Sequence, residues 1–224
     1  MTRTRKTPPV RQPRARKRSF YVMSFDYRRG GPPGLALLNV DVLAPDEGVL
    51  LAPTGRRGFP NYQEPPRFLF DRRLGRAPLD FELFHGYSLV SDRTKAVFQS
   101  IDHDAFAFAR CDVTIERGLT AQRGLYDGPD YWLCDVLPVL DALDEANSRL
   151  GTARREPTPD DPRERVPSLA GAYYISFRED VVGNACVFRL ATPTITAIMC
   201  DDVLRDACRA AGLKGIKFRD ALKL

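Results

Sequence analysis

Twice along this chain an apolar run breaks on a helix-capping side chain, continues at helical spacing and gives way to a second apolar run. No other feature of the sequence restricts the fold as much. The first instance begins at Tyr87 and passes Val90 to reach Ser91-Asp92, a natural N-cap, after which Val97, Phe98 and Ile101 recur on one stripe. Ala105 to Ile115 follows. There Ala107, Ala109, Cys111, Val113 and Ile115 alternate with Phe106, Phe108, Arg110, Asp112 and Thr114, the period of a strand with one dry and one mixed face. The second instance runs from Thr194 to Met199 and is capped by Asp201. It carries Val203, Leu204, Ala207, Cys208 and Ala211 on its stripe, closes on Gly212 and resumes as a strand over Gly215 to Phe218. Strand, capped helix, strand units at 87–115 and 194–218 predict an α+β fold, a mixed or antiparallel sheet with a few packed helices.

The rest of the chain reads less regularly. Phe20 to Phe25 is a short strand that runs into Gly30-Gly31-Pro32-Pro33, a turn signal, and Leu35 to Leu43 is a second apolar segment. The stretch from Pro45 to Pro66 has no period until Phe68-Leu69-Phe70, so it reads as a long surface loop of the kind that often carries function. Leu133, Val136, Leu137, Leu140 and Leu143 fall on one helical stripe starting at Trp132, with Pro138 kinking it. Tyr173 to Phe177 and Ala185 to Leu190 flank Val182-Gly183-Asn184 as the arms of a hairpin would. Tyr21-Val22-Met23-Ser24-Phe25 is echoed by Tyr173-Tyr174-Ile175-Ser176-Phe177, a candidate internal duplication. Residues 151–168 hold four prolines, eight charges and no aromatic, which predicts a flexible insertion.

Charge divides the chain unevenly. The formal net charge is +5, yet residues 1–19 hold eight of the 34 Lys and Arg and no acid, so residues 20–224 carry 26 bases against 29 acids. The first segment reads as a disordered basic tail and the remainder as a mildly acidic body. Such a tail can bind nucleic acid, but this one lacks aromatics for base stacking and contains three prolines. No apolar run approaches the roughly 20 residues that span a bilayer, and no apolar segment of secretory length follows the basic start. The five cysteines, Cys111, Cys134, Cys186, Cys200 and Cys208, are scattered among apolar neighbours without a Cys-x-x-Cys pair, as in the reduced core of a cytoplasmic protein.

Local signatures of catalysis are missing: there is no nucleophile elbow, phosphate loop, dinucleotide fingerprint or zinc-protease motif. The nearest constellation is Asp102-His103-Asp104, where a histidine between two carboxylates could serve as a base, or equally as a polar turn. His85 lies between Phe84 and Gly86 in an apolar stretch, the setting of a structural histidine. Asp201-Asp202 is accounted for as a cap and a first-turn anion. The expectation is a non-enzyme with no cofactor and no metal. Arg56, Arg57, Phe59 and Tyr62 in the long loop, and the lone Trp132, are the residue types that dominate protein interfaces and are the candidate partner-binding residues; the alternative for the loop is that Phe59 tucks onto the sheet.

Several blocks, taken in order, resemble an immunity-protein family of bacterial polymorphic toxin systems, the one numbered eleven and formerly a domain of unknown function. They are Tyr21 to Asp26, Leu38-Asn39-Val40, Leu89-Val90-Ser91-Asp92, Tyr131 to Leu137 with Leu140 to Asp144, and Val187 to Leu190 through Gly212 to Phe218. The resemblance spans about residues 20–224, a single immunity-type domain, and leaves the basic tail 1–19 outside. It implies a cytoplasmic protein, encoded beside a toxin or secreted effector, that protects its cell in bacterial competition by binding and neutralising that toxin. It carries over no catalytic or metal-binding residue. Two other readings stay open at this point: a nucleic-acid-binding protein using the tail, and an enzyme using Asp102-His103-Asp104.

Overall fold

The computed structural model describes residues 18–26, 28, 30–43, 57–84, 87–117, 122–154, 156, 164–192 and 194–224. Among them, two large sheets account for most of the regular structure. The first places Phe20–Phe25 (β1) inside a five-stranded sheet with Val139–Leu140 (β9), Val187–Leu190 (β12), Ile198–Asp201 (β13) and Ile216–Asp220 (β14), in the order β14-β1-β13-β12-β9. The second is seven-stranded. It is ordered Leu35–Leu37 (β2), Arg67–Phe70 (β3), Phe106–Arg117 (β6), Tyr131–Val136 (β8), Tyr87–Ser91 (β5) and Phe81–Phe84 (β4), with Gln122–Leu125 (β7) folded back on β6. The β3–β6 and β12–β9 pairings are parallel and the others antiparallel, so the fold is α+β with mixed sheets, as the pattern predicts.

Both capped units form where expected. The Ser91 hydroxyl accepts the Thr94 N–H at 3.3 Å to open helix α2, Asp92–Ile101. The Asp201 carboxylate accepts the Leu204 N–H at 3.1 Å to open α4, Asp202–Ala210. Past Ala211, which caps α4, Gly212 adopts φ +65°, the left-handed conformation that glycine takes without a Cβ penalty. The tertiary arrangement adds what periodicity did not show. In each unit the two strands are not neighbours: β5 and β6 flank β8, and β13 and β14 flank β1, each antiparallel to the strand between them. The flanking strands therefore run parallel, as a helical crossover requires. The strand before each unit, β4 or β12, pairs antiparallel with its first strand. The two halves thus share one topology, with the middle strand drawn from after the first unit and from before the second. The echo between 21–25 and 173–177 is a different matter, because β1 is a full strand whereas 173–177 makes only isolated bridges to Arg149 and Leu143.

The inner faces of the sheets share a core with α2 and α4. Met23 from β1, Val187 from β12 and Cys200 from β13 pack with Val90 from β5, Phe106 from β6, Val136 from β8, Phe98 from α2 and Leu204 from α4. The outer face of the first sheet is covered by Ala142, Leu143, Ile175, Phe177 and Val182, and that of the second by Leu35 and Leu37, by Leu43 at the end of the short helix α1 (Val40–Leu43), and by Phe59 and Tyr62. All five cysteines are buried as free thiols. Burial pushes the thiols of Cys111 and Cys208 up to about 12 and of Cys186 up to about 11, and those of Cys134 and Cys200 well above the ordinary thiol range. A raised pKa leaves almost no thiolate near pH 8. Native protein at that pH should therefore resist a thiol-alkylating reagent over hours and modify at five sites once unfolded, as mass spectrometry would read; rapid native labelling would contradict the buried placement.

Two expectations need correction. The stripe from Leu133 to Leu143 is not a helix: Tyr131–Val136 is β8, buried along nearly its whole length, and Pro138 separates it from β9. A strand buried on both faces reads as a continuous apolar run, in which helical spacing arises incidentally. The hairpin about Val182-Gly183-Asn184 is absent, since Glu179–Val182 forms a short helix (α3) and β12 pairs with β13 and β9. The flanks of the insertion 151–168 are paired as β10 (Gly151–Arg154) and β11 (Arg165–Ser168), while 157–163 lies outside the described residues. Most of the basic tail, residues 1–17, also lies outside them; its last cation, Arg18, donates to the Asp201 carboxylate at 3.0 Å.

Candidate functional site

The outer face of the second sheet is where the candidate binding loop lands. Residues 57–66 cross β5 and β8, and Phe59 packs at a tilt of 46° against the buried Tyr87 ring with centroids 4.8 Å apart, Tyr62 lying 6.4 Å from Phe59. Phe59 is thus tucked onto the sheet, half-buried, as the structural alternative held. Burial, with Tyr87 close by, pushes the Tyr62 phenol up, so it stays protonated and able to donate. Pro60, Asn61 and Gln63 form an exposed tip around the two rings.

What holds the loop down is a carboxylate. Asp135 lies on β8 two residues after the buried Leu133, and its side chain is fully buried. It accepts the Gly58 N–H at 2.9 Å and ion-pairs with Arg57; from the first sheet, Arg189 of β12 reaches the same oxygen that Arg57 does, at 3.5 Å. Gly58 adopts φ +97°, where an L side chain is strained, although a Cβ there would meet only ordinary contacts with Leu137 and Ala107 at 3.6 and 3.7 Å. Gly58→Ala should therefore cost about 1–2 kcal/mol through backbone strain alone, seen as a lower denaturation midpoint with an unchanged slope. Burial first, and the Arg57 charge second, push the Arg189 guanidinium down from its ordinary value, while Asp135 opposes them. Arg189 also donates to the Thr196 carbonyl at 2.8 Å. Beside the cluster, Arg57, Arg189, Thr192 and Thr196 line a cavity of about 310 Å³ with Val139 and Ile195 as its apolar wall.

The other singled-out residues lie elsewhere. Trp132 points to the opposite, helix-bearing face of β8, half-buried against the inner core, with Lys95 of α2 3.3 Å from its ring centroid. The structure thus gathers Arg57, Phe59 and Tyr62 on one face and does not bring Trp132 to them; Arg56 and His85 lie outside the described residues. Asp102-His103-Asp104 is an open turn. Asp102 accepts the N–H groups of Asp104 and Ala105 at 3.1 Å, while the His103 and Asp104 side chains are 78% and 99% exposed, so nothing excludes water from the imidazole. Among the described residues no group of His, Cys, Asp and Glu is placed to hold a metal ion, and no helix is long and apolar enough to cross a membrane. A larger cavity, about 410 Å³, opens where β1 meets β4, but its carboxylates are already engaged: Glu82 by Arg76 and Asp26 by Arg28.

A family model described as an immunity protein family, Imm11, matches residues 19–223. The chain belongs to the Imm11 family. The match begins within two residues of β1 and ends one residue short of Leu224, so it takes in both sheets and both capped units. Membership in Imm11 implies a toxin as partner and a role without catalysis. No curated protein matches the chain significantly. Sequence reasoning found the loop through its Arg and aromatic composition but missed the Imm11 chain's Asp135–Arg189 pair, which is 54 residues apart in sequence and carries no motif.

Proposed function

We propose that this protein neutralises a toxin or secreted effector encoded beside it in a polymorphic toxin system. It acts in the cytoplasm of the producing cell by binding the toxin directly, without chemistry of its own. The observation that carries this reading is the Imm11 match across residues 19–223. An antidote working at low copy number needs a Kd near or below about 1 nM, about −12 kcal/mol, over roughly 1,600 Å² of interface. The surface around loop 57–63 suits that demand because it is already ordered: Gly58 is bonded to Asp135 and Phe59 is seated on Tyr87, so little entropy is lost on docking.

The test is co-expression with the toxin domain of the adjacent gene, followed by titration calorimetry of the two purified proteins. Survival of the cells and nanomolar binding are expected; death of cells that contain the folded protein at normal levels would end the reading. The loop is tested separately. Because Arg57 and Phe59 also stabilise the fold, the informative variant is Asn61→Arg with Gln63→Arg, which adds bulk at the exposed tip and removes no buried contact. It should weaken binding at least thirtyfold, about 2 kcal/mol, with an unchanged thermal midpoint. Unchanged affinity would move the interface to the face around Trp132.

A further inference from the structure

We propose that the cavity bounded by Arg57 and Arg189 is a carboxylate-binding site, and that in the complex an Asp or Glu side chain of the toxin fills it; this rests on the toxin-binding reading. Two guanidinium groups converge there on one carboxylate. Asp135 is wholly buried, stands behind them and is not part of the cavity wall, so the wall presents one positive charge more than the cluster neutralises. Arg57 spends one terminal nitrogen on Asp135, and its remaining nitrogens have no hydrogen-bond partner among the described residues. Its side chain is 32% exposed, so it can turn those donors to a ligand without leaving Asp135. Arg189 is fixed from two sides, by Asp135 and by the Thr196 carbonyl, and supplies charge at a set position. Thr192 and Thr196 also line the cavity, and Val139 and Ile195 give an apolar wall for a short aliphatic stem.

Burial is the main reason the Arg189 guanidinium is pushed down, and the Arg57 charge beside it is the second. One surplus charge matches a carboxylate monoanion, and a planar guanidinium pairs well with a carboxylate. A phosphate dianion would call for a second surplus charge. About 310 Å³ is ample for a Glu or Asp side chain. Because the site joins loop 57–62 to β12 and the 192–196 connection, an anion bound there would contact both sheets at once.

Two measurements on the full chain test the pocket and its occupant. In the first, the Arg Nε–H resonances are followed while propionate, a monoanion with a short aliphatic stem, is added, against sodium chloride and inorganic phosphate at matched ionic strength. The signals of Arg57 and Arg189 should shift saturably with propionate alone, and should stay still in Thr196→Glu, which places a carboxylate of the chain's own at the mouth. Equal drift in all three salts, or tighter saturation by phosphate, would overturn the carboxylate site. In the second, the toxin of the adjacent gene is titrated into three proteins. Thr196→Glu should bind at least thirtyfold more weakly than wild type while melting at an equal or higher temperature, and the neutral Thr196→Gln should lose less than threefold. Equal affinity for wild type and Thr196→Glu would leave the toxin reading intact and remove the toxin carboxylate from the pocket. Wild-type protein that fails to bind the toxin at all would overturn both the occupant and the toxin reading, while the propionate titration alone decides the pocket.

Discussion

Asp135→Ala should destabilise the protein by about 3–5 kcal/mol, measured by equilibrium denaturation, the usual cost of removing one partner from a buried ionic cluster. The substitution leaves the Gly58 N–H without its acceptor and Arg189, whose side chain is only 12% exposed, beside Arg57 with no carboxylate between them. A charge stranded in that way costs more than the ion pair itself contributes. Two companions separate the causes. Asp135→Asn keeps an acceptor for Gly58 but removes the charge, and should recover only the hydrogen-bond share, about 1 kcal/mol. Asp135→Leu combined with Arg189→Met removes both buried charges, and should be more stable than Asp135→Ala. A loss below about 1 kcal/mol for Asp135→Ala would mean that water already serves these groups and that the loop is not held as described.

Phe98→Ala should cost about 3–5 kcal/mol, the range for truncating a fully buried phenylalanine. For a chain of this size that is a fall in thermal midpoint of roughly 6–20 °C. Phe98 has no exposed surface, stacks on Phe106 with centroids 4.6 Å apart and meets Phe81 edge-on at 6.4 Å; Phe81 in turn stacks on Phe25 of β1 at 5.0 Å. This line of rings runs from α2 and β6 to the other sheet, so the cavity opens in the core the two sheets share. Phe98→Leu, which keeps most of the volume, should cost less than about 1.5 kcal/mol. Near- and far-ultraviolet circular dichroism should still melt together in Phe98→Ala, because one core serves both sheets. Separate transitions would show two independently folding halves.

The parts of this molecule that follow from short-range rules could be read directly from the chain. Ser91 and Asp201 cap their helices because each side-chain oxygen meets an N–H three residues on, and Gly212 ends α4 because the left-handed turn there favours a residue without Cβ. Such contacts depend on neighbours in sequence, so their signal survives in the order of residues. The nature of β8 was not readable in that way. Its apolar residues satisfy a helical spacing, and what makes Tyr131–Val136 a strand is its pairing with β5 and β6, which lie tens of residues earlier. The insertion of β8 and of β1 between the two strands of their respective units was hidden for the same reason, since sheet order is set by which apolar faces can be buried together.

For the candidate site the division is sharper. Composition singled out Arg57, Phe59 and Tyr62, but their positions were decided by Asp135, 78 residues from Arg57, and by Arg189, 54 residues beyond Asp135. In the sequence, Asp135 is one carboxylate off an apolar stripe and Arg189 a lone cation in a strand. Only burial distinguishes them, because a carboxylate removed from water must find donors wherever the fold can bring them, and here the fold draws one from a loop and another from the opposite sheet.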